Sequence, residues 1–290
     1  MAQQDESTTS WGRRVFNLFL FTSFFLAICA VAMVWQTCYL FHLPINSSLL
    51  GFTFFGTLCS YNFHWYFTPA AFGGSNKTAW SGRNKPVHAT LFLIALVGAL
   101  YCTWLLRAHW GWLLLTAFVT FLYSAPKVPH NWALHLQKIA VGKTIFLAFA
   151  WAHVTALLPL LVYNADQSDK AVFFVVNRFF LIYAICILFD YRDRESDRKE
   201  GIRSLLTWLE HEGILILFWT IMVAFGLSGI LLYGQGMPLV SVVALSIPGL
   251  IVAGLQPYSM RHSGDYHYYF VLDGLMAFSV PLVALLDYGP

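Results

Sequence analysis

Apolar residues in this chain neither alternate nor form narrow helical stripes. They come in long unbroken runs separated by short polar segments. A run of about 20 apolar residues is the length of a helix that crosses a bilayer. Nine runs follow one another, at about Val15–Gln36, Pro44–Phe67, Pro86–Leu106, Trp110–Ser124, Ile139–Tyr163, Ala171–Asp190, Ile214–Tyr233, Pro238–Leu255 and Tyr268–Leu286. The fourth is short, which allows a tight hairpin with the third around Arg107-Ala108-His109. The first is too long for the core of a signal peptide. The pattern predicts an all-α integral membrane protein, with a short polar N-terminal segment over 1–14 and one transmembrane helical domain over 15–290.

Composition agrees. Hydrophobic residues make up 58% of the chain and charged residues 11%, where soluble domains carry about 25% charged residues. A net charge of +3 is too small to suggest a nucleic-acid partner. All five cysteines lie in apolar runs and none forms a CxxC pair, which argues against a disulfide framework or a zinc site.

The placement of charge tells more than its sum. With the N-terminus in the cytoplasm, the inside segments carry Arg13, Arg14, Lys77, Arg83, Lys85, Lys127, Lys138, Arg192, Arg194, Arg198, Lys199, Arg203 and Arg261. The outside loops then carry only Arg107 and Lys170, while Lys143 and Arg178 fall within spans. That asymmetry is the one that orients membrane proteins. It puts the polar stretch after the sixth run on the cytoplasmic side.

That stretch carries the candidate chemistry. Phe189 to Ser204 holds five of the fourteen acidic residues. On a helix, Asp190, Asp193 and Asp197 share one face. Like charges so placed repel, and oxygen-rich clusters suit a hard divalent cation such as Mg²⁺ with a phosphate as co-ligand. Arg194 and Arg198 flank that face and can hold phosphate oxygens. A solvated charged loop is the plainer alternative. Among residues inside spans, Lys143 either reaches the same phosphate or snorkels to headgroups. Arg178 reads as snorkelling or structural, and Asp273 as a structural partner or a cavity acid. His64 and His153 read as satisfied histidines, and His130 and His135 have no assigned role. Glu210-His211-Glu212 points around a helix and cannot converge on one ion.

The stretch Asp193-x-x-x-Asp197-Arg198-Lys199-Glu200-Gly201-Ile202-Arg203-Ser204 resembles the second aspartate motif of the UbiA superfamily of intramembrane prenyltransferases. Leu122-Tyr123-Ser124-Ala125-Pro126-Lys127 resembles the Tyr-(x)₃-Lys element of the same family, and the number of spans is similar. The resemblance implies transfer of a prenyl group from a prenyl diphosphate to an aromatic, quinone-precursor or other lipophilic acceptor, with Mg²⁺ as cofactor. It implies catalytic roles for Asp193, Asp197 and Asn62. Substrate contacts would come from Tyr123, Lys127, Lys143, Arg194, Arg198 and Arg203, and metal ligands from Asp190, Asp193 and Asp197. It implies a multi-pass location, in a bacterial inner membrane.

The chain departs from the family at its first aspartate motif. In Ser60-Tyr61-Asn62-Phe63-His64-Trp65-Tyr66-Phe67-Thr68-Pro69-Ala70 only Asn62 matches, and no acid occurs between Glu6 and Asp166. His64, Lys77, Arg83 and Lys85 are the candidates to neutralise a diphosphate in place of the missing half. The alternatives are a catalytically silent member acting as a lipid-binding or assembly partner, and a small-solute transporter.

Overall fold

The computed structural model describes residues 11–68, 75–124, 143–165, 168–199 and 204–286. Among these the chain is all helix with no strand. The first apolar run is two helices, α1 (Trp11–Phe21) and α2 (Phe24–Leu40), bent by 56°. The polar pair Thr22-Ser23 explains the break. The Thr22 hydroxyl donates to the Leu18 carbonyl at 2.5 Å, and Ser23 takes the left-handed φ of +66°. Then come α3 (Ser47–Phe67), the short α4 (Asn76–Arg83), α5 (Lys85–Leu105) and, after a 3₁₀ turn at Arg107–His109, α6 (Trp110–Ser124). α7 (Lys143–Ala152) and α8 (Leu158–Val162) are joined by a π-helical turn, His153–Leu157. α9 (Asp169–Lys199), α10 (Leu205–Trp208), α11 (His211–Gly234) and α12 (Leu239–Ser259) follow. A second π turn, His267–Leu272, leads into α13 (Asp273–Ala277) and α14 (Ser279–Leu286).

Among the described residues six helical stretches are long and apolar enough to span a membrane, or seven with the bent α1–α2 pair counted as one. Of the nine expected runs, α3 and α6 stand outside that set. α3 is interrupted by Ser60, Asn62 and His64, and α6 has only 15 residues. Large apolar side chains on α5, α6, α11 and α12 point outward, as a lipid-facing surface requires.

α9 is the axis. Its 31 residues make one helix of about 46 Å, longer than the ~30 Å hydrocarbon core. The apolar run ends near Asp190, but the helix continues to Lys199, so Asp190, Asp193 and Asp197 do lie on one helix. Between Leu181 and Leu188 α9 is apolar and buried on every side. It packs there against Met33 of α2, Trp151 of α7, Phe218 and Phe225 of α11, Val252 of α12 and Leu272.

Arg178 ties the other half of α9 to its neighbours. It is buried without a carboxylate partner among the described residues, and its guanidinium donates to neutral acceptors. Nη1 reaches the Met33 carbonyl, the Thr37 hydroxyl and the Thr155 carbonyl, each at 2.9 Å; Nη2 reaches Gln36 Oε1 at 2.6 Å. Gln36 in turn donates to Ser279 at 3.0 Å, which brings α14 into the knot. Thr155 lies in the π turn, whose wider ladder exposes a carbonyl that a regular α-helix would keep. Arg178 is therefore structural and does not snorkel. Arg178→Met removes these four hydrogen bonds and should cost about 2–4 kcal/mol. Thermal unfolding in detergent should show a clearly lowered midpoint; an unchanged midpoint would refute the knot.

Candidate functional site

Where α9 leaves the apolar zone, its side chains meet α4 and the segment that opens the last helix. Arg192 is the hub. Its Nε donates to Asp193 Oδ1 at 2.7 Å and its Nη2 to Asp193 Oδ2 at 3.2 Å and to the Tyr269 hydroxyl at 3.0 Å. Its guanidinium carbon lies 4.4 Å from the ring centre of Tyr268 and 5.0 Å from that of Tyr269. The Arg192 side chain is 7% exposed, whereas that of Asp193 is 48% exposed. One buried donor, Nη1, has no acceptor among the described residues.

Lys77 comes to the same place from α4. Ser75 caps this helix, accepting from the Thr78 N–H at 3.1 Å, and Asp265 Oδ2 accepts from the Lys77 N–H at 2.9 Å. Asp265 follows α12, so this bond pins α4 to the start of the last helical segment. The Lys77 side chain turns inward and is only 3% exposed. Its Nζ lies 4.1 Å from the ring centre of Tyr269 and 4.7 Å from that of Trp65. Among the described residues it makes no ion pair. Burial pushes the ammonium well below the usual lysine range; Asp273 opposes that shift, Arg192 adds to it, and Asp265 opposes it. Asp273, at the N-terminus of α13, is thus an acidic neighbour of Lys77 and Arg192. Trp65 of α3, Lys77 of α4, residues 189–193 of α9 and residues 265–273, far apart in sequence, converge on one buried charged cluster.

The residues expected to form the site distribute unevenly. Asp193 belongs to the cluster through Arg192. Asp190 accepts a short hydrogen bond from Thr144 of α7. Asp197 is buried. Arg194 Nη2 donates to the Leu209 carbonyl at 2.6 Å and Arg198 Nε to the Thr207 carbonyl at 3.0 Å, so both tether the segment around α10. Asn62, expected to face a phosphate, is committed to the backbone instead. Its Nδ2 donates to the Thr22 carbonyl at 3.1 Å and the Leu58 carbonyl at 2.9 Å, and its Oδ1 is 2.8 Å from His88 Nδ1. It holds the α1–α2 break. Lys85 is similarly spent, its Nζ donating to the carbonyls of Trp65 at 2.7 Å and Tyr66 at 2.5 Å and to that of Thr68, at the C-terminus of α3. Lys127 and Arg203 lie outside the described residues, as do the side chains of Tyr123 and Lys143.

A Mg²⁺ ion gripped from two sides needs oxygen ligands from both. These residues do not fit that donor set. The end of α3 carries no carboxylate. Among the described residues no three His, Cys, Asp or Glu side chains are grouped to hold an ion, so Asp190, Asp193 and Asp197 do not close on one centre. Their helix face is shared, but Thr144 and Arg192 draw the first two to different partners. Two open grooves, of about 480 Å³ along Leu215–Val223 and about 450 Å³ beside Ala108–Leu115, are lined by none of the cluster residues.

Arg192, Asp265, Trp65 and Tyr269 were not singled out from the sequence as site residues. A usable signal was present: Asp265 and Asp273 are the only acids between Glu212 and Asp287. Isolated acids in an apolar third of a membrane chain mark functional or paired positions.

Apolar spanning helices around a buried charged cluster define a multi-pass integral membrane protein. The UbiA prenyltransferase family matches residues 74–271, more than half of the chain, and the protein belongs to that family. The match takes in α4 and the whole aspartate stretch of α9 and begins beyond Ser60–Ala70. Neither a curated protein nor a solved structure matches the chain.

If Asp265 anchors α4, Asp265→Ala should cost about 1 kcal/mol, the usual worth of a helix-start acceptor. Hydrogen exchange should quicken across 76–83 and stay unchanged in α9. Unchanged exchange in α4 would refute the anchor.

Proposed function

We propose that this protein is a membrane-embedded prenyltransferase that takes a prenyl diphosphate at the polar end of α9 and passes the prenyl group to a lipophilic acceptor, aromatic or quinone-precursor in type. The observation that carries this reading is the convergence of α4, α9 and the last helical segment on one buried charged cluster, whose Lys77, Arg192, Asp193, Asp265 and Tyr269 lie inside the region the family matches. The proposed topology has nine spans with the N-terminus in the cytoplasm, as basic residues at Arg13, Arg14, Arg83 and Arg198 favour. It turns the cluster toward the compartment of phosphorylated metabolites, and a bacterial inner membrane suits it.

The chemistry asks little covalent work of the protein. The bond between the allylic C1 and the diphosphate oxygen breaks as charge on the leaving oxygens is neutralised. The cation left behind needs a dry site with aromatic faces, and Phe189, Tyr268, Tyr269 and Trp65 line the cluster. Asp193 has the role of orienting Arg192 toward the substrate. Asp197, Arg203 and the Tyr123/Lys127 pair are proposed as further contacts. The bare α3 side and the committed Asn62 favour a second reading, a member that binds the diphosphate lipid without turning it over.

Incubating the purified protein with labelled prenyl diphosphates of several lengths, with and without quinone precursors, separates the two. Turnover appears as diphosphate release, and Asp193→Asn should slow it ~100-fold, about 2.7 kcal/mol. Binding without release favours the silent reading. Neither binding nor release at any chain length sinks both.

A further inference from the structure

Resting on the diphosphate-site reading above, we propose that Lys77 and Arg192 hold the diphosphate group directly, so that a side-chain ammonium stands where a divalent cation would otherwise bridge substrate and protein. Four residues were candidates to make up for the missing carboxylates, and the fold distinguishes among them. Lys85 is occupied by three carbonyls at the end of α3. His64 sits buried within α3, and Arg83 stands at the far end of α4. Lys77 is the one of the four that meets the Tyr269 ring on which Arg192 of α9 also lies.

Two cations there share one ring. Lys77 Nζ lies over the Tyr269 face, and Arg192 both lies over that face and donates to its hydroxyl. Like charges side by side out of water repel, and each also loses its hydration. Among the described residues their donors are filled only in part. Arg192 Nη1 is buried with no acceptor, and the Lys77 ammonium, a three-donor group, faces two ring faces without an ion pair among the described residues. Unfilled, buried, positively charged donors are complementary to an oxyanion. Asp193 accepts from Arg192 and holds its guanidinium in place.

The step balances without an added redox partner. The C1–O bond breaks with both electrons going to the diphosphate oxygen, where the ammonium and guanidinium meet the new charge. C1 then bonds to an acceptor carbon, and the proton displaced from that carbon leaves to water.

Calorimetric titration of the full-length protein in nanodiscs with farnesyl diphosphate, in EDTA and then in Mg²⁺, tests this. We expect binding in EDTA within about threefold of that in Mg²⁺. Inorganic pyrophosphate should compete. Lys77→Met should weaken binding at least tenfold in both conditions, about 1.4 kcal/mol, while Lys77→Arg retains most of it; melting curves check that both variants are folded. Binding that requires Mg²⁺, or that survives Lys77→Met, overturns the inference and leaves the prenyl diphosphate reading standing. Failure of pyrophosphate to compete overturns the assignment to the diphosphate group. No binding in either condition overturns both readings.

Discussion

A positive charge buried in an apolar bundle must find its acceptors inside the protein or bring them in with a ligand. The chain meets that constraint twice along α9, in opposite ways. Arg178 is supplied with acceptors by the protein: carbonyls of Met33 and Thr155, a hydroxyl and an amide. The site needs nothing more, and its role ends with holding α2, α9 and the π turn together. Arg192 and Lys77 are supplied only in part, with ring faces, one carboxylate and a donor left over. Desolvating a cation without completing its shell costs several kcal/mol. Buried cationic donors of this kind are complementary to an anion.

The rest of the structure can be understood from that arrangement. α9 has to be long, because it carries an apolar axis through the bundle and a charged face beyond it. α4 has to dock, because it delivers Lys77, and Asp265 fixes it at the backbone. The first helix has to break at Thr22-Ser23, and Asn62 takes the carbonyl that the break exposes. This last contact gives Asn62 a structural use. It leaves the α3 side of the site to Trp65, which offers a ring face rather than a carboxylate.

Much of this was legible in the sequence. Run lengths announced apolar spanning helices, and the spacing of Asp190, Asp193 and Asp197 announced one helix face, which α9 has. The resemblance carried by Asp193 to Ser204 pointed to the family that the chain belongs to. The helix breaks were not legible. A Thr-Ser pair inside an apolar run, or a π turn at His153, is a small local preference decided by tertiary contacts such as Asn62 to Thr22 and Arg178 to Thr155. Nor did spacing alone show that Asp190, Asp193 and Asp197 would turn apart rather than close on one centre. A shared face brings side chains near each other, but Thr144 and Arg192 decide where Asp190 and Asp193 turn. Lys77 was one name among four because its distinction depends on contacts nearly two hundred residues away in sequence.

On the proposed reading, the charged cluster at the end of α9 receives a diphosphate. An experimental structure with a non-reactive prenyl thiolodiphosphate bound tests it most directly. Phosphate oxygens should lie in hydrogen-bond contact with Lys77 Nζ and Arg192 Nη1, and the prenyl chain should lead into the bundle past Tyr269. Phosphates held by metal on Asp190 and Asp197, away from Lys77, would contradict it.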